Sequence, residues 1–214
     1  MMKLLLLNIK WMGWNLFLAV IPMILSLIFF RKSLWDKFNF FKILLFIFIF
    51  SLFYFFLPNA PYVMTDIIHL IHQIKNYHNL TYNQIIVILI PQYILFFFIG
   101  ISFYVIAFQK FLHFLSDNNW HIALIWIIKI INPFLMAIGI FLGRFYDFNS
   151  WEIFSDYENI IKFTLKGFSN VYFVFFIIIT SLVTFSVFEI LSIYYKSIFK
   201  KLFNLSKSDM IESS

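Results

Sequence analysis

The stretch Phe40–Leu57 reads FFKILLFIFIFSLFYFFL, and Lys42 is its one charged residue. A helix of eighteen or more apolar residues is long enough to cross the hydrocarbon core of a membrane, which is about 30 Å thick. The whole chain of 214 residues is 63% hydrophobic and only 12% charged. A soluble protein of this size cannot bury that much apolar surface. The sequence therefore predicts a helical protein that crosses the bilayer several times.

Four more stretches of the same kind complete the predicted fold. The five predicted spans are Trp11–Phe30, Phe40–Leu57, Ile85–Phe108, His121–Leu142 and Val171–Tyr195. We expect an all-α, polytopic transmembrane helical bundle in which residues 1–195 form a single integral membrane domain. Residues 196–214 form a basic and then polar cytoplasmic tail that is disordered at its end.

Prolines and glycines inside the spans predict how the helices bend and pack. Pro22, Pro91 and Pro133 lie within spans one, three and four, where a proline kinks the helix and frees a backbone carbonyl. Gly100 and Gly139 permit neighbouring helices to approach closely.

The distribution of lysine and arginine predicts the orientation. Loop one, loop three and the tail together carry nine of these residues, and the opposite face carries six. The nine are Arg31, Lys32, Lys37, Lys42, Lys110, Lys196, Lys200, Lys201 and Lys207, and the six are Lys3, Lys10, Lys75, Arg144, Lys162 and Lys166. Because cytoplasmic loops carry the excess of positive charge, the N-terminus is predicted outside and the C-terminus in the cytoplasm.

Two polar segments interrupt the apolar chain. They are Leu57–Leu70 (LPNAPYVMTDIIHL) and Gly143–Glu152 (GRFYDFNSWE). The first follows span two and the second follows span four, so both fall on the same face of the membrane in either orientation. Polar and charged residues are costly near lipid, so their grouping at one face indicates a site. With the predicted orientation, this face is the extracytoplasmic one.

The segment Pro61–Asn76 has a helical period of apolar residues but is too short to span the membrane. Asn59 or Ala60 is expected to cap this helix, with Pro61 in its first turn. Six polar residues share an arc of roughly 120° at 100° per residue: Thr65, Asp66, His69, His72, Gln73 and Asn76. We expect an amphipathic helix that lies at the interface with its polar face toward water, or that is re-entrant and folds into the bundle.

Three residues of the two polar segments are candidates for catalysis. Asp66 and His69 are neighbours on the surface of the predicted helix, and a carboxylate beside an imidazole can act as a base with its orienting partner. Glu152 supplies a second carboxylate. With His72, the pair Asp66 and His69 also offers metal-ligand chemistry, but no HExxH pattern or comparable zinc motif is present, so no metal site is predicted.

Four residues are candidates for binding a ligand: Asn59, Arg144, Asn149 and Trp151. Arg144 can hold a carboxylate or phosphate with two parallel hydrogen bonds, which suits an anionic lipid or another envelope ligand. The alternative is structural, since Arg144 can pair with Asp147 or Asp66 and fix loop four to the bundle. Asn149 begins a turn or helix cap that leads into an interfacial Trp151.

Three polar residues lie deeper in the spans. Asn15 is expected to form a hydrogen bond between helices. Lys129 in span four and Glu189 in span five lie near the same membrane face, and an ion pair is their least costly arrangement.

Composition excludes several other classes of function. The net charge of +6 is spread over loops and tail, with no basic block interleaved with aromatic residues, so no nucleic-acid partner is predicted. The chain has no cysteine, which excludes disulfides, thiolate metal ligands and thiol nucleophiles. Nothing in the sequence indicates a cofactor.

Three motifs resemble a known family. They are Trp14–Ala19, Leu57–Tyr62, and Gly139–Arg144 followed by Asn149–Glu152. In this order they are similar to the bacterial multi-pass membrane proteins known as domain of unknown function 1361, over nearly the whole chain before the tail. The resemblance implies a place in the bacterial plasma (inner) membrane and carries no established activity. This chain departs from the family in having Phe141 where Tyr is expected, Asp147 in a stretch that is usually neutral or basic, and Glu152 where Asp is common.

These features leave three classes of function open. The first is a multi-pass membrane protein whose polar site, built from Asn59–His72 and Arg144–Glu152, is structural or binds a ligand or lipid. The second is a membrane-embedded hydrolase or transferase that acts on a lipid-like or envelope substrate. The third is a small permease or an accessory subunit of a transporter.

Overall fold

The computed structural model describes residues 2–35, 39–76 and 81–212, with side chains within 8–35, 39–75 and 81–195. The described chain is almost entirely helical and contains no β-strand in these ranges, so the predicted all-α class is confirmed. In chain order the α-helices are α1 (Met2–Phe29), α2 (Phe40–Phe56), α3 (Asn59–Tyr62), α4 (Ile67–Asn76), α5 (Tyr82–Gln84), α6 (Ile90–Asp117), α7 (Ile122–Phe145), α8 (Tyr157–Gly167) and α9 (Val171–Glu212). Short 3-10 helices cover Lys32–Leu34, Val63–Asp66 and Ser150–Phe154, and a π-helix covers Ile85–Leu89.

Five stretches of the described chain are long and apolar enough to cross a membrane, as predicted. They are Asn8–Phe29, Phe40–Lys75, Tyr82–Asp117, Ile122–Phe145 and Val171–Tyr195. The second and third are longer than the sequence predicted, because helical structure continues through most of the polar segment after α2 and begins before the third apolar run. The protein is therefore a multi-pass membrane protein built as a helical bundle.

The π-helix precedes Pro91, and the proline explains its position. Pro91 lacks an N–H, and its ring clashes with the carbonyl four residues earlier in a regular helix. The N–H of Ile90 instead reaches the carbonyl of Ile85, five residues back, which relieves that crowding. Pro22 and Pro133 lie inside α1 and α7 as expected.

Aromatic rings fill the largest core cluster, which joins α1, α2, α6 and α9. The rings of Phe30 and Phe53 meet edge to face with centroids 4.9 Å apart. Phe108 meets Phe188 of α9 in the same way at 5.1 Å. Lipid is as apolar as these side chains, so close packing and ring geometry, more than escape from water, hold the helices together here.

The residues between α2 and α4, which we call the wedge segment (residues 57–66), lie inside the bundle. Leu57, Ala60 and Val63 are completely buried. A Cβ atom at Gly100 of α6 would overlap the Val63 side chain, and one at Gly139 of α7 would lie 2.7 Å from Pro58 Cγ. The two glycines therefore make room for the wedge segment between α6 and α7, which is the close approach that the sequence predicted for them.

Helix α4 is amphipathic as predicted, and of the two arrangements expected for it the described contacts fit the one that folds into the bundle, with part of the polar arc still exposed. Its exposed surface carries the apolar residues Ile67, Ile68, Ile71 and Ile74. Asp66 at its start is buried, and Gln73 bonds to α1. Thr65, Asp66 and Gln73 of the polar arc turn inward, where the bundle offers hydrogen-bond partners, whereas His69 and His72 remain exposed. The side chain of Asn76 lies outside the described residues.

The start of this helical segment also differs from the prediction. It begins at Asn59, with Pro58 in the cap position, and it tightens into a 3-10 helix before α4. The Asn59 side chain does not cap the helix. It donates hydrogen bonds to the Phe56 carbonyl and to Ser150 Oγ instead.

Helix α9 continues past the predicted end of the fifth span, from Tyr195 to Glu212. Lys37, Ser213 and Ser214 lie outside the described residues, as do the side chains of Lys3 and of the tail lysines. The division into a membrane domain and a tail with a disordered end stays a prediction.

The glycine contacts give a direct test of how the wedge segment is held. In Gly100→Ala, the added methyl group overlaps Val63, so we expect the free energy of unfolding to fall by about 1–3 kcal/mol. Gly13→Ala is the matched control, because nothing lies within 4 Å of a Cβ there. That control should be neutral, or more stable by up to about 1 kcal/mol. Thermal unfolding of both variants in detergent checks this, and equal midpoints would contradict the packing described.

Candidate functional site

A buried ion pair joins the two polar segments. The 3-10 helix Val63–Asp66 places Asp66 inside the bundle, where only 1% of its side chain is exposed. Arg144, in the last turn of α7, bonds to Asp66 through Nη2 and Oδ1. The same guanidinium donates to Thr65 Oγ1 from Nη2 at 2.6 Å and from Nε at 3.1 Å. Its Cζ lies 4.5 Å from the centre of the Tyr62 ring, which adds a cation–π contact.

Asp66 has further partners. Asn15 Nδ2 of α1 donates to Asp66 Oδ2 at 2.9 Å, which is the hydrogen bond between helices predicted for Asn15. His69 Nε2 lies 3.7 Å from Asp66 Oδ1. Of the two pairings that the sequence left open for Arg144, the structure contains the one with Asp66. A buried carboxylate with this many donors ties α1, the wedge segment and α7 together.

His69 lies at the outer edge of this cluster. Half of its side chain is exposed, at 51%, and its ring packs against the Trp11 ring with centroids 5.1 Å apart. The structure thus brings Asp66 and His69 together at their predicted spacing. Asp66, however, faces Asn15 and Arg144, so its carboxylate is largely occupied by structural partners.

A second polar network, which the sequence analysis missed, joins α1 to α4 and α6. Asn8 Nδ2 donates to Gln73 Oε1 and to Gln92 Oε1, both at 3.2 Å, and Gln73 Nε2 donates back to Asn8 Oδ1 at 2.6 Å. Trp11 Nε1 also donates to Asn8 Oδ1, at 3.3 Å. The sequence did contain a signal for this network, because three apolar segments at the same end of the bundle each carry an isolated amide side chain, Asn8, Gln73 or Gln92.

Loop four folds through a capping box that accounts for Glu152. The Asn149 side chain accepts from the backbone N–H of Glu152, and Glu152 Oε2 accepts from the Asn149 backbone N–H at 2.6 Å. Asn59 Nδ2 donates to Ser150 Oγ at 2.7 Å and so attaches this loop to α3. Trp151 is 43% exposed. Glu152 therefore has a local structural role in this conformation.

A cavity of about 670 Å³ opens between α1, α2, the wedge segment, α7 and loop four. Its deeper wall is formed by apolar side chains, including Leu18, Leu135 and Met136. Polar groups line its rim: Asn15, Asn59, Tyr62, Asp147, Asn149 and Ser150. Two turns of α8 contribute Ile160 and Thr164. Of the predicted ligand-binding residues, Asn59 and Asn149 line the cavity, whereas Arg144 and Trp151 are not among its lining residues.

The remaining predicted polar residues lie toward the other membrane face. Lys129 Nζ forms an ion pair with Glu189 Oε1, which is the predicted pair. Nearby in α7, Asn132 Nδ2 donates to the hydroxyl of Tyr104 at 2.9 Å. These contacts join α7 to α9 and α6 and take no part in the cavity.

Histidine and acidic side chains do not gather into a metal-binding group. No cluster of three such residues that could hold an ion occurs within the described ranges. Asp66, the first of the three residues considered for a metal, bonds to Asn15 and Arg144.

A family model described as "Protein of unknown function (DUF1361)" matches residues 14–187. This range contains both polar segments and every residue that lines the cavity. Neither the curated proteins nor the solved structures give a match.

The ion pair can be tested by a double-mutant cycle. Arg144→Leu leaves the buried Asp66 carboxylate without its cation, so we expect the free energy of unfolding to fall by about 3–5 kcal/mol. Adding Asp66→Asn removes the uncompensated charge and should restore part of that loss. Asp117→Asn, which changes an exposed carboxylate at the end of α6, is the control and should have little effect. Strictly additive losses in thermal unfolding would show that the two residues do not interact.

Proposed function

The chain belongs to the family described as protein of unknown function DUF1361, and we propose that this member binds a lipid-like molecule in the cavity beside its buried ion pair. We place the rim of the cavity on the extracytoplasmic face of a bacterial inner membrane, following the excess of lysine and arginine on the opposite face.

The observation that carries this proposal is the two-part lining of the cavity. Leu18, Leu135 and Met136 give it an apolar wall, and amides and hydroxyls lie at its rim. Binding sites for small molecules are commonly apolar concavities of this volume with a few polar groups that fix orientation. A molecule with an apolar body and a polar end matches such a lining, and membrane lipids are the most abundant molecules of that kind.

The buried ion pair supports the proposal because it stabilises one wall of the cavity. Pro58, Asn59 and Tyr62 of the wedge segment line the cavity. The wedge segment is fixed by Asp66, whose partner Arg144 lies directly after the lining residue Gly143. The cavity thus has a rigid wall before any ligand arrives, which lowers the cost of ordering on binding.

The hydrolase or transferase alternative has less support. The carboxylate of Asp66 is engaged by Asn15 and Arg144, and that of Glu152 caps its own 3-10 helix. His69 is not among the residues that line the cavity. The three catalytic candidates therefore do not converge on the space that a substrate would occupy.

The permease alternative has less support as well. It would place Lys129 and Glu189 on a path for solutes between proline-kinked spans, but these two residues form an ion pair with each other.

Filling the cavity tests whether lipid binds there. Leu135→Trp replaces a leucine of the cavity wall with a larger indole side chain that fills part of the cavity. We expect this variant to lose a lipid that copurifies with the wild-type protein after mild detergent extraction. Leu182→Trp is the matched control, because Leu182 is an exposed apolar residue of α9 outside the cavity lining, and this variant should retain the lipid. Native mass spectrometry measures the bound mass. The proposal fails if the wild-type protein retains no lipid or if both variants retain it equally.

The absence of cysteine makes the orientation simple to test. Ser155→Cys lies in loop four, and Ser33→Cys lies in loop one, and both positions are exposed. A membrane-impermeant maleimide added to intact cells should label Ser155→Cys, whereas Ser33→Cys should react only after the cells are permeabilised. The reversed pattern would invert the proposed orientation, and labelling of both from outside would contradict the arrangement of the spans.

A further inference from the structure

The rim of the cavity carries a carboxylate without a partner. Asp147 is the one lining residue with a formal charge at neutral pH. Its side chain is exposed, and among the side chains described within residues 8–35, 39–75 and 81–195 it has no hydrogen-bond or ion-pair partner. The cavity is therefore negatively charged at its rim.

The nearest arginine does not neutralise this charge. Arg144 lies three residues before Asp147, but its guanidinium bonds to Asp66 and Thr65 and packs on the Tyr62 ring. Because the Arg144 guanidinium is already paired with the buried Asp66 carboxylate, the Asp147 carboxylate can interact with a ligand at the rim of the cavity.

The lysines of α8 do not compensate either. Ile160 and Thr164 are the residues of this helix that line the cavity. Lys162 follows Ile160 by two positions, and Lys166 follows Thr164 by two, which at about 100° per residue places both on the opposite side of the helix. Both lysine side chains are exposed there.

The backbone at position 147 adopts an uncommon, left-handed conformation, and this conformation does not depend on a carboxylate side chain. Its φ angle of 57° is in the left-handed region, which lets the N–H of Phe148 return to the carbonyl of Leu142 at 3.3 Å. Asparagine and glycine adopt this conformation at least as readily as aspartate. The turn at the end of α7 would therefore form without the charge.

The hydroxyl groups of Tyr54 and Ser150 are among those in the cavity that can donate to a bound molecule. Tyr54 lies one helical turn before Pro58, so it is deeper than the rim, and its hydroxyl has no hydrogen-bond partner in the described part of the chain. Ser150 Oγ accepts from Asn59, and its own proton remains available. Donors at two depths suit the ester carbonyls and the phosphate of a glycerophospholipid.

We propose that the ligand of the cavity is a diacyl phospholipid whose headgroup carries an ammonium group. The ammonium pairs with Asp147, the phosphate accepts from Ser150, an ester carbonyl accepts from Tyr54, and the acyl chains follow the apolar wall. This inference rests on the proposed function. It differs from the anionic lipid that the sequence suggested through Arg144, since a headgroup with a net negative charge would be repelled by Asp147.

Competition between two headgroups tests the inference. Purified, delipidated protein is titrated in detergent with phosphatidylethanolamine or phosphatidylglycerol that have identical acyl chains, and the bound fraction is read by native mass spectrometry. We expect the wild-type protein to prefer phosphatidylethanolamine by about two- to fivefold, the size expected for one partly exposed ion pair. Asp147→Asn keeps the left-handed turn and should abolish this preference.

A control variant separates the local charge from the overall charge. Glu158→Gln removes an exposed carboxylate of α8 that is not among the lining residues, and it should keep the wild-type preference. Thermal unfolding of Asp147→Asn and Glu158→Gln confirms that both remain folded.

The outcomes distinguish failure of this inference from failure of the proposed function. Retention of the preference in Asp147→Asn, or a wild-type preference for phosphatidylglycerol, overturns the ammonium assignment. If Leu135→Trp weakens both lipids while the wild-type protein shows no preference, the cavity binds lipid and only the headgroup inference is wrong. If Leu135→Trp alters the binding of neither lipid, both proposals are wrong.

Discussion

Burial of the Asp66–Arg144 pair is the constraint on which the arrangement of this bundle depends. A charge removed from water is tolerable only when its partner is close and its remaining hydrogen-bonding positions are filled. Asp66 meets this condition through Asn15 and Arg144, and Arg144 meets it through Thr65 as well. These residues come from α1, the wedge segment and α7, so the three elements must be assembled together for all of these groups to be satisfied.

The interior position of the wedge segment follows from shape as well as charge. Gly100 and Gly139 leave no side chain where Val63 and Pro58 approach α6 and α7. Further along the chain, the amides of Asn8 and Gln73 join α1 to α4. The segment from the wedge through α4 is thus held by an ion pair near its start and by an amide network near its end, with exposed isoleucines between them. The same arrangement leaves the cavity on the α7 side with a wall that does not need a ligand to form.

Hydropathy predicted the five spans because a membrane demands long, uninterrupted apolar helices, and few other structures produce them. The position of Arg144 and Asp66 at one face followed from counting spans. Counting spans could not show that Arg144 pairs with Asp66 rather than with Asp147, because a sequence does not show which carboxylate is buried. The periodicity of α4 defined a polar arc, but periodicity is the same whether that arc faces water or protein. Asn8 and Gln92 were missed, and Gln73 was noted only as part of the polar arc, because an isolated amide becomes informative only when its partners are known.

The pair formed by Lys129 and Glu189 has a consequence for how the chain is made. An unpaired carboxylate is expensive to transfer from the translocon into lipid. Helix α7 precedes α9 in the chain, so Lys129 is synthesised before Glu189. Because pairing with Lys129 lowers the cost of placing the Glu189 carboxylate in the bilayer, we expect insertion of α9 to depend on α7 as well as on its own hydrophobicity.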